Sequence, residues 1–196
     1  MPRFALPLAC SLVCLGLGAL HAHAGDSWQL SDLMQSLRVQ KTSEARFVEK
    51  RYLKVVDEPL ESSGTLRFVP PDHLEKRTLQ PKVESLIVDG DELTVARPKH
   101  REIHLHLEER PEVAALVDSI RGTLAGDESA LEKAYRLQLE GGPEQWHLVL
   151  VPRSAALARL VARIRISGAR AEVANVDFQF ADGDRSEMTV TRGTAP

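Results

Sequence analysis

Three histidines and two glutamates lie close together between His100 and Glu108, and they could form a catalytic or metal-binding centre. In an extended strand residues two apart share a face, so Glu102, His104, His106 and Glu108 are expected on one side. Histidines and carboxylates on one face could bind zinc with an open coordination position. A half-buried strand with one solvated face gives the same alternation with apolar residues. We favour this second interpretation and predict no metal site.

Other catalytic patterns are missing from the sequence. It contains no G-x-S-x-G, no S-x-x-K and no glycine-rich segment between a strand and a helix. Only 5% of the residues are aromatic and the net charge is −3, which argues against nucleic-acid binding. We therefore predict that the protein is not an enzyme, has no catalytic residues, needs no cofactor and binds no nucleic acid.

The first 24 residues have the pattern of a secretory signal peptide. Arg3 precedes an apolar stretch over residues 4–20, and Ala22-His23-Ala24 has the A-x-A form of a cleavage site. The alternative is a lipid anchor on Cys14, but the cysteine lacks a small residue directly before it. We predict that residues 1–24 are removed and that one domain, residues 25–196, is exported without any cysteine.

The mature chain divides into four runs of secondary structure. We predict a helix from Ser27, about six strands over residues 45–107, one or two helices over 111–134, and five more strands over 135–191. Turns are expected at Ser62-Ser63-Gly64, Asp89-Gly90, Gly141-Gly142 and Asp182-Gly183. Short hairpin connections favour an antiparallel sheet, and the helices must cover its apolar face, which makes this an α+β fold.

The helix predicted after Pro111 carries a stripe of large apolar residues. Val113, Leu116, Val117, Ile120 and Leu124 recur at helical spacing, and Gly126 closes the segment. Ordinary core packing would explain this stripe. A movable lid over a lipid-sized cavity would explain it as well, and periodicity alone leaves both interpretations open.

Several strand and turn residues of the mature chain have a characteristic order and spacing: Phe47, Pro59, Gly64, Leu66, Phe68, Pro71, Leu74, Gln80-Pro81, Leu86-Ile87-Val88-Asp89-Gly90 and Leu93. Their succession resembles that of the LolA family of periplasmic outer-membrane lipoprotein carriers, and within it the LolA-related branch. The resemblance extends over the whole mature chain.

The resemblance implies a curved antiparallel sheet that forms an incomplete barrel covered by helices. It also implies a monomeric periplasmic carrier that binds acyl chains of lipoproteins or other lipids, receives them from an inner-membrane exporter and passes them to an outer-membrane acceptor. The cavity residues it implies are Phe47, Leu66, Phe68, Leu74, Leu86 and Val88 from the sheet and Leu116, Ile120 and Leu124 from the lid.

One position departs from the family pattern. Most family members have an arginine before the proline that corresponds to Pro71, and this arginine holds the lid closed through hydrogen bonds. Pro70 stands there in this chain and has no side-chain donor, so the lid is expected to be unlatched or held by another residue.

Two other functions remain as alternatives. The first is a periplasmic lipid-sensing regulatory module, since regulators of mislocalised lipoproteins share the fold. Such regulators carry an additional C-terminal domain, whereas the last predicted strand here ends near Pro196, which favours the carrier. The second is a metal-dependent enzyme that uses His100, His104 and His106.

Overall fold

A computed structural model describes residues 28–39 and 42–193, so the predicted signal peptide and the predicted helix start at Ser27 lie outside the described residues. Within them the chain forms four α-helices and one sheet of eleven strands. The helices are α1 (Leu30–Arg38), α2 (Pro111–Ala125), α3 (Glu128–Ala134) and α4 (Ala155–Ala158). The strands are β1 (Ser43–Tyr52), β2 (Leu60–Val69), β3 (His73–Gln80), β4 (Glu84–Asp89), β5 (Glu92–Ala96), β6 (Ile103–His106), β7 (Tyr135–Gly142), β8 (Gln145–Pro152), β9 (Val161–Ala169), β10 (Glu172–Phe180) and β11 (Arg185–Arg192).

The sheet is antiparallel throughout and remains open. Its strand order is β6-β5-β4-β3-β2-β1-β11-β10-β9-β8-β7. Hairpins build β1 to β6 outward from the centre, the helical segment then crosses to the other edge, and β7 to β11 return until β11 pairs with β1. The predicted fold, a helix-covered antiparallel sheet forming an incomplete barrel, is confirmed, and so are its six strands before the helices and five after them.

Local signals fix the ends of the helices. Pro111 occupies the first turn of α2, where its missing N–H costs no hydrogen bond, and Gly126 ends the helix with a left-handed φ of 63°. The Asp127 side chain accepts a hydrogen bond from the Ala130 N–H and thereby caps α3. None of the helices within the described ranges is long and apolar enough to span a membrane.

Two of the predicted turns are wrong, because Ser62-Ser63-Gly64 lies within β2 and Gly141-Gly142 within β7. Gly64 stands opposite Phe47 on β1, and a Cβ there would lie 1.9 Å from the Arg77 carbonyl oxygen on β3. The glycine therefore permits a close approach of two strands rather than a chain reversal. Gly141 has a φ of 88°, but β7 continues through Gly142 and the reversal follows at residues 143–144.

The main core fills the space between the helices and the C-terminal half of the sheet. Leu33 and Leu37 of α1 and Leu131 of α3 are fully buried against inward-facing residues of β8 and β9. We call the side of the sheet that carries these core residues the inner face and the opposite side the outer face. The inner face of β2 to β6 is less completely covered, and the candidate site lies there.

Candidate ligand-binding site

The sheet residues implied by the family resemblance share the inner face. Strand register places them side by side, because residues directly opposite each other in an antiparallel pair point to the same face. Leu66 of β2, Lys76 of β3 and Leu86 of β4 form one cross-strand row. The structure thus brings together Phe47, Leu66, Phe68, Leu74, Leu86 and Val88.

This cross-strand row continues to the edge of the sheet. Leu86 pairs with Val95 of β5, and Val95 pairs with Ile103 of β6. We call Leu66, Leu86, Val95 and Ile103 the apolar row. Its first three members are half-buried and Ile103 is 49% exposed, so the row presents apolar surface that the protein does not fully cover. The sequence analysis did not assign Val95 and Ile103 to the site. The register set by the Asp89-Gly90 turn could have identified Val95, whereas Ile103 depends on the separate pairing of β5 with β6.

Helix α2 distributes its residues in an unusual way. Its fully buried positions are the small residues Ser119, Gly122 and Thr123. Its large apolar residues, in contrast, are all half-buried: Val113, Leu116, Val117, Ile120 and Leu124. A helix that served only as core would bury its large side chains first, because they gain most from leaving water. Leu116 and Ile120 do pack against the main core, but α2 keeps apolar surface available beyond it.

Two arginines tie α2 to its surroundings. Arg121 Nη1 donates a hydrogen bond of 2.5 Å to the Gly90 carbonyl oxygen in the β4–β5 turn, and its Nη2 lies 2.6 Å from Asp118. Arg38 of α1 donates to the Gly126 carbonyl oxygen at 2.9 Å. Arg121 thus connects α2 to the β4–β5 turn, and Arg38 connects α1 to the residue that ends α2.

A buried tyrosine adds a third tether. The Tyr135 hydroxyl donates to the Ala115 carbonyl oxygen at 3.0 Å, inside α2. Burial raises the pKa of Tyr135 far above its ordinary value, so the hydroxyl keeps its proton and remains a donor.

A charged pair interrupts the apolar inner face. The Glu49 carboxylate accepts hydrogen bonds from Ser186 Oγ at 2.6 Å, from Ser62 Oγ at 3.5 Å and from Lys76 Nζ. Lys76 Nζ also lies 4.9 Å from the centre of the Phe47 ring. Burial alone would raise the pKa of Glu49, but the Lys76 ammonium and the Ser186 hydrogen bond outweigh it and the pKa is lowered. Glu49 is therefore ionised at neutral pH.

The histidine segment lies on the exposed edge strand β6 and the loop before it. His104 Nδ1 lies 2.9 Å from Glu92 Oε1 on the neighbouring strand, and His100 and His106 are exposed. Among the residues that the structure describes, no three His, Cys, Asp or Glu side chains are grouped so that they could hold a metal ion. The arrangement is a solvated strand face on which His104 and Glu92 make a cross-strand hydrogen bond.

Two cavities lie away from the predicted residues, and none of the nine lines either. A cavity of about 530 Å³ borders the side of α2 turned away from its apolar stripe, and Asp118, Arg121 and Lys133 are among its lining residues. A polar groove of about 360 Å³ lies on the outer face around His147, Ser167 and Asp177. Burial raises the pKa of Asp177 in this groove. The lining of the first cavity is largely apolar and includes Leu107, Leu131 and Tyr135 beside its charged residues. The polar lining of the second is unsuited to an acyl chain.

Comparison with known proteins identifies the family. Residues 22–196 match the family described as outer membrane lipoprotein carrier protein LolA-like. Because the match covers nearly the whole chain, the protein belongs to this LolA-like family. Among curated protein sequences, none matches it.

Several solved structures are distantly similar to this protein. The LolA superfamily protein NE2245 from Nitrosomonas europaea is 11% identical, with 85% of this chain and 93% of that chain covered and a TM-score of 0.44. A Vibrio parahaemolyticus domain described as an outer membrane lipoprotein-sorting protein is 12% identical, with 83% and 88% covered and a TM-score of 0.46. The MucA/MucB complex of Pseudomonas aeruginosa contains a chain that is 16% identical, with 85% and 58% covered and a TM-score of 0.42. Similarities this distant carry no argument about function.

Proposed function

We propose that the protein is a periplasmic carrier that binds an acyl chain of a lipid or lipoprotein between α2 and the inner face of β2 to β6. The observation that carries this proposal is the half-buried apolar stripe of α2, which coexists with fully buried small residues on the same helix. The half-buried apolar row offers a second apolar surface on the helix-facing side of the sheet.

The energetics support reversible binding. Burying one methylene group contributes roughly 0.8 kcal/mol, so a 16-carbon chain offers on the order of 12 kcal/mol before the costs of ordering it. Moving α2 aside exposes its apolar stripe and breaks the Arg121–Gly90 hydrogen bond, which returns part of this gain. A carrier needs this balance because it must release its cargo as well as bind it.

The test replaces an apolar residue of the stripe by a polar one. In Ile120→Asn we expect loss of binding of a fluorescent fatty acid and a smaller decrease in melting temperature than a core variant shows, because Ile120 is only half-buried where it packs against the core. Leu131→Asn in α3 is the matched control: this side chain is fully buried in the core, so the substitution is expected to cost about 2–5 kcal/mol of folding stability.

Two outcomes would contradict the lid assignment. If Ile120→Asn destabilises the protein as much as Leu131→Asn does, α2 is an ordinary core helix. If Ile120→Asn leaves fatty-acid binding unchanged, the stripe does not contact the ligand.

We further propose that the carrier moves its cargo from an inner-membrane exporter to an outer-membrane acceptor after removal of residues 1–24. N-terminal sequencing of periplasmic protein is expected to begin at Gly25, and mass spectrometry is expected to detect co-purifying acylated molecules. A lipid-modified Cys14 at the mature N-terminus would contradict the soluble carrier.

A further inference from the structure

A face that bound only an acyl chain would need no charged residues, yet the inner face contains the Glu49–Lys76 ion pair. Lys76 occupies the same cross-strand row as Leu66 and Leu86, in the middle of the surface assigned to the acyl chain. A buried ion pair is weak support for folding stability, because apolar residues of similar size often stabilise a core equally well or better. The position of the pair therefore calls for a role in binding.

Lys76 retains donors for a ligand. An ammonium group carries three N–H donors, and in the described part of the chain Lys76 Nζ donates to Glu49. Its side chain remains 24% exposed, whereas the Glu49 residue is only 8% exposed and its carboxylate already accepts from three side chains. The side of the pair that is open to a ligand is thus the positive one.

The surrounding charge also favours an anion. The inner face of β1 to β5, together with Arg97 directly after β5, carries five charged side chains. Three are positive, Arg51, Lys76 and Arg97, and two are negative, Glu49 and Glu84, so one positive charge is in excess. Arg97 and Glu84 form an ion pair at 2.5 Å, so their two charges cancel. The chain as a whole carries a net charge of −3, so this local excess is opposite in sign to the rest of the molecule.

From this geometry we propose, resting on the carrier function above, that Lys76 binds the anionic head group of an amphiphile whose acyl chain lies along the apolar row. The shared chemistry is an anionic oxygen, a carboxylate or a phosphate, attached to a long apolar chain. A ligand of this kind satisfies the spare Lys76 donors while its chain covers Leu86, Val95 and Ile103.

The experiment measures binding of three probes that share one chain: oleate, oleoyl lysophosphatidate and oleyl alcohol, all below their aggregation concentrations. For the wild type we expect at least one anionic probe to bind about tenfold more tightly than the alcohol, as a charge-assisted hydrogen bond provides. The more tightly bound anion distinguishes a carboxylate source from a phosphate source. Free acetate and inorganic phosphate, which lack the chain, are expected not to compete.

Variants test whether Lys76 causes this preference. The double variant Lys76→Met/Glu49→Gln removes both charges of the pair, so neither is left buried without its partner. It is expected to lose the preference for the anionic probes over oleyl alcohol, while the alcohol binds as it does to the wild type. Lys50→Met is the matched control, because Lys50 lies on the outer face of β1 in an exposed pair with Glu61 at 3.1 Å. It is expected to retain the full preference.

The outcomes separate this inference from the function on which it rests. If no probe binds the wild type, the carrier function itself fails. If all three probes bind with equal affinity, the acyl site stands and the head-group assignment is overturned. If the double variant weakens every probe equally, Lys76 only supports the fold, and the assignment is overturned as well.

Discussion

The contact between Arg121 and Gly90 predicts how tightly α2 is held to the sheet. Arg121 is largely buried, with 22% of its side chain exposed, and its guanidinium donates to the Gly90 carbonyl oxygen at 2.5 Å. A hydrogen bond with a charged donor contributes about 1.5–3 kcal/mol. Arg121→Met retains most of the apolar stem and removes this bond, so the equilibrium constant for opening α2 is expected to rise about 10- to 150-fold.

Native-state hydrogen exchange measures this opening directly. In Arg121→Met the amides of α2 are expected to lose one to two orders of magnitude of protection, while those of Leu148 and Leu150 in the core strand β8 change little. Asp118→Asn is the control, because it removes the ion pair within α2 and leaves the Gly90 hydrogen bond in place. Equal losses in α2 and β8, or unchanged protection in α2, would refute the role of Arg121 as a latch.

Three further predictions follow from contacts described above. Replacing His104 and His106 by Gln should change the free energy of unfolding by no more than about 0.5 kcal/mol, as for other exposed positions. If the variant folds normally but loses activity, the metal-binding interpretation of these histidines would be supported instead. Gly64→Ala should prevent correct pairing of β2 with β3 and lower the melting temperature strongly, since the added Cβ would meet backbone atoms; a melting temperature equal to the wild type would contradict this. The lowered pKa of Glu49 means that its ionisation stabilises the fold above the ordinary value of 4.5 and that this contribution disappears as the pH falls through the lowered pKa. In urea titrations the difference in stability between wild type and Glu49→Gln should therefore shrink as the pH falls below 4.5, and a difference independent of pH would contradict the coupling to Lys76.

Features encoded by neighbouring residues could be predicted from the sequence. The Asp89-Gly90 turn forms with a φ of 58° at Gly90, and α2 runs from Pro111 to the residue before Gly126 as its end signals indicate. Alternating strands and short turns were sufficient to predict an antiparallel sheet with six strands before the helices and five after them.

Features that depend on strand register could not be predicted in the same way. Ser62-Ser63-Gly64 has the composition of a turn, yet the fold uses Gly64 for close contact between strands. Glu49 and Lys76 are 27 residues apart and meet across an intervening strand, so only the pairing of β1, β2 and β3 shows that they share a face. Helix α4 has only four residues, too few for a periodic pattern to appear.

The contact that joins α2 to the β4–β5 turn could not be predicted either. The resemblance implied a lid that is unlatched or held by a residue other than Pro70, and this stays a prediction. Arg121 is the single arginine of α2, and its contact with Gly90 depends on how α2 lies against the β4–β5 turn. Because every residue has a backbone carbonyl, the sequence does not show which residue accepts a hydrogen bond from a long side chain.

The gap between the two edge strands has a mechanical consequence. In a closed barrel the strand number and stagger fix the radius, and widening the interior requires breaking a ladder of backbone hydrogen bonds. In the described chain no ladder joins β6 to β7, so the two edges can separate by small changes of twist spread over eleven strands, at no cost in backbone pairing. The curvature of the sheet, and with it the width of the space above the inner face, can therefore change without loss of strand pairing.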